Sequence, residues 1–174
     1  MRLIVNVVPN PILKKVELNS INSIISDEYV DDIFKNYYGT TLNLNEFQNK
    51  IDTIKKRYES EGYSLARIKG PDRINENGIV TLNVAEGIVS DVQLRFLGTD
   101  GESSIDGEPR KGKTKDWVIK RELKTQPGSI FNRKILEADI RRLYATSLFD
   151  DVKVSLGPDS SNPGRVIIFL DLSE

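Results

Sequence analysis

The chain has 174 residues, 38% of them apolar and 29% charged, the make-up of an ordinary folded protein with one large core or two small ones. Its 25 basic and 26 acidic residues nearly cancel, so net charge provides no pull toward nucleic acid or anionic lipid. With no Cys and no His, zinc, iron–sulfur and Cys/His nucleophile chemistry are excluded and only carboxylate chemistry stays open, while the lack of thiols fits an oxidising compartment.

Read from its start, the sequence repeats itself. LIVNVVPNPILKKVEL at 3–18 returns in altered form as TLNVAEGIVSDVQL at 81–94. The second copy reads as a closing strand, a turn and the opening strand of a new unit. Residues 1–12 are therefore expected to be the last strand of a preceding unit whose body lies outside the sequence. No signal-peptide layout follows Met1, and no apolar run reaches the length of a membrane-spanning helix. Ile54-Lys55-Lys56-Arg57-Tyr58 recurs as Ile140-Arg141-Arg142-Leu143-Tyr144 at an offset of 86, and that offset also carries Ala66 to Val152, Ile68 to Val154, Val80 to Val166, Leu82 to Ile168 and Val84 to Leu170. Nearer the start the offset is 76, since Val16 and Leu18 match Val92 and Leu94. The second unit thus gains ten residues inside GTDGESSIDGEPRKGKTKD, 98–116, a Gly-rich charged stretch that reads as an exposed loop.

The first unit is expected over 13–86. LKKVELNS is a strand; Ser26 caps a helix whose apolar stripe is Val30, Ile33, Phe34 and Tyr37, with Ile25 and Val30 as a hydrophobic staple and Gly39 as the stop. Asn43 with Glu46 resembles a capping box for a second helix, stapled by Leu42 and Phe47 and turning Ile51, Ile54 and Tyr58 inward until Gly62. SLARIK and IVTLNV alternate as strands and are joined by the turn-rich PDRINENG. The second unit, 87–174, repeats the order. Thr114 is the expected cap of KDWVIKRELK, Pro127-Gly128 the turn, and Asn132 the cap of a helix presenting Leu136, Ile140, Leu143 and Tyr144, with DDVKVSL and RVIIFLDL as the closing hairpin. The fold class is α+β: tandem β-α-α-β-β units, each a three-stranded sheet backed by two helices. The apolar final strand of each unit belongs in the centre, and the charged strand before it at an edge.

This order of elements, the VAEG turn between units and above all VIKRELKTQPGSIFNRKILEADIRRLYATSLFDDVKV at 118–154 resemble the polypeptide-transport-associated (POTRA) repeats of BamA-type outer-membrane insertases. The I-x-R-E-L helix, P-G turn, F-N cap, R-L-Y run and L-F-x-x-V strand entry carry the likeness. It spans residues 13–174, and the Asn-rich first unit with the long loop in the second is similar to the cyanobacterial and chloroplast import-channel branch.

The resemblance implies a non-enzymatic receptor or scaffold on the periplasmic side of an outer membrane, or the soluble side of a plastid outer envelope, without cofactor or metal. Its implied partners are unfolded outer-membrane or preprotein polypeptides, a membrane β-barrel following in the same full-length protein, and accessory periplasmic proteins; nucleic acid is not among them. The chain then reads as an excerpt. Clients would join an open sheet edge as an added strand, which nominates Leu65, Arg67, Lys69, Asp151, Lys153 and Ser155 as edge residues and Glu86, Gly87 and Ile88 as the hinge between units. A structural adaptor that binds no client, and the POTRA region of a two-partner secretion transporter, are the alternatives. Asp27, Glu28, Asp31 and Asp32 read better as helix-dipole partners than as a metal cluster. Lys55-Lys56-Arg57 and Arg141-Arg142 read as solvated helix faces, and Trp117 as a core anchor.

Overall fold

The computed structural model describes residues 10–22, 24–70 and 77–174. The strand expected at the start of the chain falls almost wholly on residues 1–9, and the turn between the last two strands of the first unit on 71–76; both lie outside the described residues. Two compact units are formed. One comprises the chain up to Tyr58 with Ala66–Ala85, and the other Glu59–Leu65 with Glu86–Glu174. The sequence division after residue 86 leaves Glu59–Leu65 with the first repeat, whereas the structure groups it with the second. There the Asn132 amide donates to the Glu61 carbonyl (3.0 Å) and Arg133 N–H to that of Gly62 (2.8 Å).

In the first unit, β1 (Lys15–Asn19), α1 (Asp27–Phe34), α2 (Leu44–Ser60), β2 (Arg67–Lys69) and β3 (Ile79–Ala85) follow one another, with β3 central in the order β1-β3-β2. β1 runs parallel and β2 antiparallel to it. The Ser26 hydroxyl accepts the Tyr29 N–H at the start of α1, and Asn43 Oδ1 accepts from Asn45 and Glu46 at the start of α2, each satisfying donors a helix cannot pair internally. Val30 and Phe34 from α1, Phe47, Ile51, Ile54 and Tyr58 from α2, and Val80, Leu82 and Val84 from β3 are buried together with Val16. Each such side chain contributes roughly 1.5–3 kcal/mol by leaving water.

The second unit builds the same layers from β4 (Ile88–Phe96), α3 (Asp116–Lys120), α4 (Arg133–Ala145), β7 (Asp151–Pro158) and β8 (Arg165–Ser173), in the order β4-β8-β7. β4 is parallel to β8, with a register shift between Val89 and Asp91, and β7 is antiparallel. Asn132 caps α4 by accepting from Lys134 and Ile135. The expected loop has structure of its own: β5 (Ser104–Ile105) pairs with β6 (Glu108–Pro109) across Asp106-Gly107, both at positive φ (52° and 84°). Asp-Gly is the dipeptide for such a two-residue turn, so the signal was present in the sequence.

Three further expectations are corrected. Thr114 does not cap α3. Its N–H and that of Lys113 donate to the Glu174 carboxylate (2.8 and 2.5 Å), and the helix starts two residues on, with Lys115 in the cap position and no side-chain cap bond. Trp117 is not in the core but 60% exposed, while Ile119 fills the buried position. Arg142 is not part of a solvated face. It pairs with Asp139, and its Nε donates to the Glu122 carbonyl at 2.9 Å.

Asp139 is fully buried on the apolar side of α4, between Leu136 and Leu143. Besides Arg142, its carboxylate accepts the N–H groups of Lys124 (3.0 Å) and Thr125 (2.8 Å). That grip turns the chain away after Lys120 and shortens the ten-residue helix read from KDWVIKRELK to five. Removing it strands two backbone donors and a guanidinium in or near the core. Asp139→Ala is therefore expected to destabilise the chain by roughly 3 kcal/mol, against roughly 0.5 kcal/mol or less for the exposed Glu137→Ala, measured by urea unfolding; equal midpoints for the two variants would refute this role.

Candidate functional site

An edge strand can accept another strand only through the backbone groups that turn away from its own sheet. Their identity follows from the hydrogen-bond phase. Leu97 N–H donates to the Leu172 carbonyl (2.8 Å), so Leu172 faces β4. By alternation Val166, Ile168 and Leu170 do too, and Ile167, Phe169 and Asp171 face β7. Their partners Gly157, Ser155 and Lys153 spend their backbone groups on β8. Val152, Val154 and Leu156 turn theirs outward. The same phase holds in the first unit, where Gly78 O accepts from Lys14 (2.8 Å) and Lys15 (3.4 Å), directing Val80, Leu82 and Val84 to β1 and Asn83 and Ala85 to β2. Arg67 and Lys69, paired with Ala85 and Asn83, then face inward, and Ile68 alone in β2 faces out.

The nominated edge residues are accordingly placed but out of phase. Arg67 and Lys69 lie in β2, and Asp151, Lys153 and Ser155 in β7, yet their backbone groups belong to the central strands. Leu65 is not in a strand at all: it sits in the turn before β2 and packs on the core of the second unit. The residues whose backbone groups do turn outward, which sequence reasoning did not single out, are Val152, Val154, Leu156 and Ile68. Side-chain face and backbone direction both alternate with a period of two, so the nominated strand residues are those whose backbone groups pair with the central strand.

The outward groups differ in availability. Val152 is already occupied, since its N–H donates to the Tyr144 hydroxyl (2.9 Å), which in turn lies 3.4 Å from the Val152 carbonyl and donates to Asp151 Oδ1 (2.8 Å). This explains why Tyr144, expected on the inward stripe of α4, stays 42% exposed. Beyond it, Val154 is half-buried and Leu156 43% exposed, an apolar row that emerges into solvent along the strand. At the opposite edge the first half of β4 is covered by the chain after the Pro-Gly turn: Gly128 and Phe131 N–H donate to the carbonyls of Val89 (2.7 Å) and Gly87 (2.9 Å), and Ser129 O accepts from Val89 (2.9 Å). In the first unit Val16 N–H on β1 donates to the Tyr38 hydroxyl (3.4 Å). Burial and a 2.6 Å hydrogen bond to Asp31 push that phenol up to about 12. Asp31 is thereby engaged, Asp32 pairs with Lys35 (2.5 Å), and Asp27 and Glu28 stand in the first turn of α1. Among the described residues no group of three acids is placed to hold a metal ion.

The nominated hinge residues sit at the start of the second unit. Glu86 is buried, and Ile88 opens β4 opposite Arg165. Gly87 has φ of 77°, and a Cβ there would stand 2.7 Å from that of Leu65, so only glycine fits.

With this geometry in hand, comparison with known proteins is direct. Residues 12–87 match the family described as POTRA domain, ShlB-type, and residues 101–174 the POTRA family described as surface antigen variable number repeat. The N-terminal domain of Omp85 from Thermosynechococcus elongatus superposes with a TM-score of 0.82 at 42% identity, over 95% of this chain and 67% of that one. The chain belongs to the POTRA domain family. POTRA1-3 of the periplasmic domain of Omp85 from Anabaena gives 0.86 at 39% identity, over 95% and 66%. Outer envelope protein 80 of Arabidopsis thaliana is 26% identical over the whole chain, and TOC75 of Pisum sativum 28% identical over 71% of it. The chain spans 22% and 15% of those two relatives. CdiB from Escherichia coli, at 15% identity and a TM-score of 0.71, shares the fold.

The Tyr144 clamp generates a pH-dependent expectation. Asp151 is held below the usual carboxylate range first by the Tyr144 hydroxyl and then by Lys153. A depressed carboxyl stabilises the fold above its unfolded value and loses that contribution as pH falls through its folded value. In Tyr144→Phe, Asp151 should titrate at higher pH than in wild type, and the Val152 amide should exchange faster with solvent. Carboxyl chemical shifts followed from pH 6 downward check the first and amide exchange the second; an unmoved Asp151 titration would remove the clamp.

Proposed function

We propose that this POTRA pair is the soluble receptor region of an outer-membrane β-barrel insertase or protein translocation channel, on the periplasmic side of the outer membrane or the soluble side of a plastid outer envelope. In this reading it takes unfolded client polypeptides as an added strand and positions them for the barrel. The observation that carries it is the outer edge of β7, eight residues long, with the backbone groups of Val154 and Leu156 turned outward beside an emerging apolar row. Backbone pairing of this kind depends little on client sequence, which suits many clients. β2, with three residues and one outward position, is a poor second template. No catalytic step is invoked. We also infer that Glu86, Gly87 and Ile88 form a joint between the domains, since the last of the three crossings between the units falls after Ala85. The ShlB-type match over residues 12–87 favours, as a second reading, the POTRA region of a two-partner secretion transporter.

Affinity should be weak, because each net hydrogen bond is worth ~0.5–1.5 kcal/mol and the client must first be ordered. The test is chemical-shift mapping with a synthetic strand of about ten alternating apolar and polar residues, the pattern of a barrel strand. Val154→Pro removes an outward donor without touching the β7–β8 ladder and should weaken binding on the order of tenfold. Ile68→Pro and Lys153→Ala should change it by less than about twofold. Shifts confined to the helices, with affinity unchanged in a folded Val154→Pro chain, would transfer the assignment to a structural adaptor that spaces a barrel from accessory proteins.

A further inference from the structure

The net charge of −1 conceals a local concentration. Residues 110–124 hold seven basic and two acidic side chains. Arg110 is neutralised by Asp100 and Arg121 by Glu122, but among the described residues no ion pair engages Lys111, Lys115, Lys120 or Lys124, all of them exposed. The only tryptophan of the chain stands in their midst. Because Ile119 and Leu123 turn into the core, the spacing i, i+3, i+4 groups Trp117, Lys120 and Arg121 on the other side, and the Arg121 guanidinium lies 5.4 Å from the Trp117 ring centre. Ile105 of the β5–β6 hairpin, 54% exposed, lines one cavity with Arg110, Lys111, Lys113 and Glu174 at the start of the same basic run.

An exposed Trp within a run of exposed lysines that no ion pair engages has a definite physical preference. Protein–protein interfaces are enriched in Trp but depleted of Lys, and they seat their aromatic anchors in desolvated pockets. At a lipid surface the two residue types work together. The indole lies at headgroup level with its N–H wet, while long lysine stems let the ammonium groups reach the phosphate layer. We propose that this face of the second domain is a docking surface for an anionic lipid bilayer, with Trp117 entering the headgroup region and Lys111, Lys115, Lys120 and Lys124 supplying the charge. This goes beyond the client-receptor reading and does not depend on it.

Trp117 is its own reporter. The 174-residue chain is mixed with vesicles of phosphatidylcholine alone or with about three parts in ten phosphatidylglycerol, and tryptophan emission and co-flotation are followed. Anionic vesicles should shift the emission to the blue and carry the chain upward, neutral ones should do neither, and about 0.5 M salt should reverse both. Each charge removed should lower partitioning roughly fivefold, so Lys115→Glu with Lys120→Glu should lower it on the order of a hundredfold or more. Trp117→Ala should reduce co-flotation severalfold with thermal unfolding unchanged. Lys55→Glu with Lys56→Glu, in an exposed basic run on α2 beside the part-buried Tyr29 but without an exposed aromatic, should leave partitioning as in wild type. No emission shift on anionic vesicles, or a shift insensitive to salt and to the 115/120 reversals, or equal loss from the 55/56 reversals, would overturn the proposal.

Discussion

In each domain the last strand of the unit lies in the middle of its sheet, and most of the architecture is a consequence. β3 and β8 carry the most deeply buried rows, Val80 with Leu82 and Ile168 with Leu170 and Leu172. Pairing them parallel to the first strand demands a crossover, because parallel neighbours cannot be joined by a tight turn, and that crossover is the helix pair. Pairing them antiparallel to the preceding strand needs only a hairpin. The helices cover one face. On the other face of the second domain, Arg95 forms a two-point ion pair with Asp171 (2.6 and 2.9 Å), donates to Ser155 (3.2 Å) and lies 4.5 Å from the Phe169 ring centre, linking all three strands. Phe169 in turn covers Gly157, where a Cβ would meet its ring at 2.8 Å.

The stretch 118–154, which carries the family likeness, has a plain physical reading once the structure is known. Each conspicuous residue satisfies backbone groups that the crossover would otherwise strand. Gly128, at φ of 86°, turns the chain so that the following residues can lie along β4. Asn132 caps α4, Asp139 ties the end of the first helical segment to the second helix, and Arg142 neutralises Asp139 while bonding a carbonyl of that same segment. A buried carboxylate is costly in isolation, but with two N–H donors and a guanidinium it becomes a fixed corner.

The fold was legible because its signals are local or periodic. The stripes Val30–Phe34 and Phe47–Ile51–Ile54–Tyr58, the caps at Ser26, Asn43 and Asn132, and the alternating strands all register at short range, and the constant offset between units joined them into a topology. What escaped depends on contacts distant in sequence. Thr114 is a reasonable cap until Glu174 captures its N–H from 60 residues away. Trp117 reads as core by residue type, yet one turn of helix offers a single inward position, and Ile119 holds it. Asp139 had a signal, an acid interrupting an apolar stripe between Leu136 and Leu143, that periodicity alone treats as noise. The edge residues were misphased because charge marks the face a side chain uses, while binding depends on which way the peptide group turns.

The two domains close their edges differently. The first-strand edge is partly blocked in both: in the first domain the Tyr38 hydroxyl takes Val16 N–H, and in the second the chain after the Pro-Gly turn pairs with the start of β4, while Asp91 Oδ1 accepts Val92 N–H (2.8 Å). The penultimate-strand edge is nearly absent in the first domain, where β2 has three residues, and long in the second. Tyr58 and Tyr144 occupy equivalent repeat positions, but Tyr58 is fully buried and Tyr144 stays at the surface, where its hydroxyl closes the beginning of β7. An exposed strand edge risks indiscriminate pairing, and natural sheets blunt most of it. Here Tyr144 blunts the inner end and Pro158, which carries no N–H donor, terminates the outer one. That leaves a window at Val154 and Leu156 rather than an open border along β7.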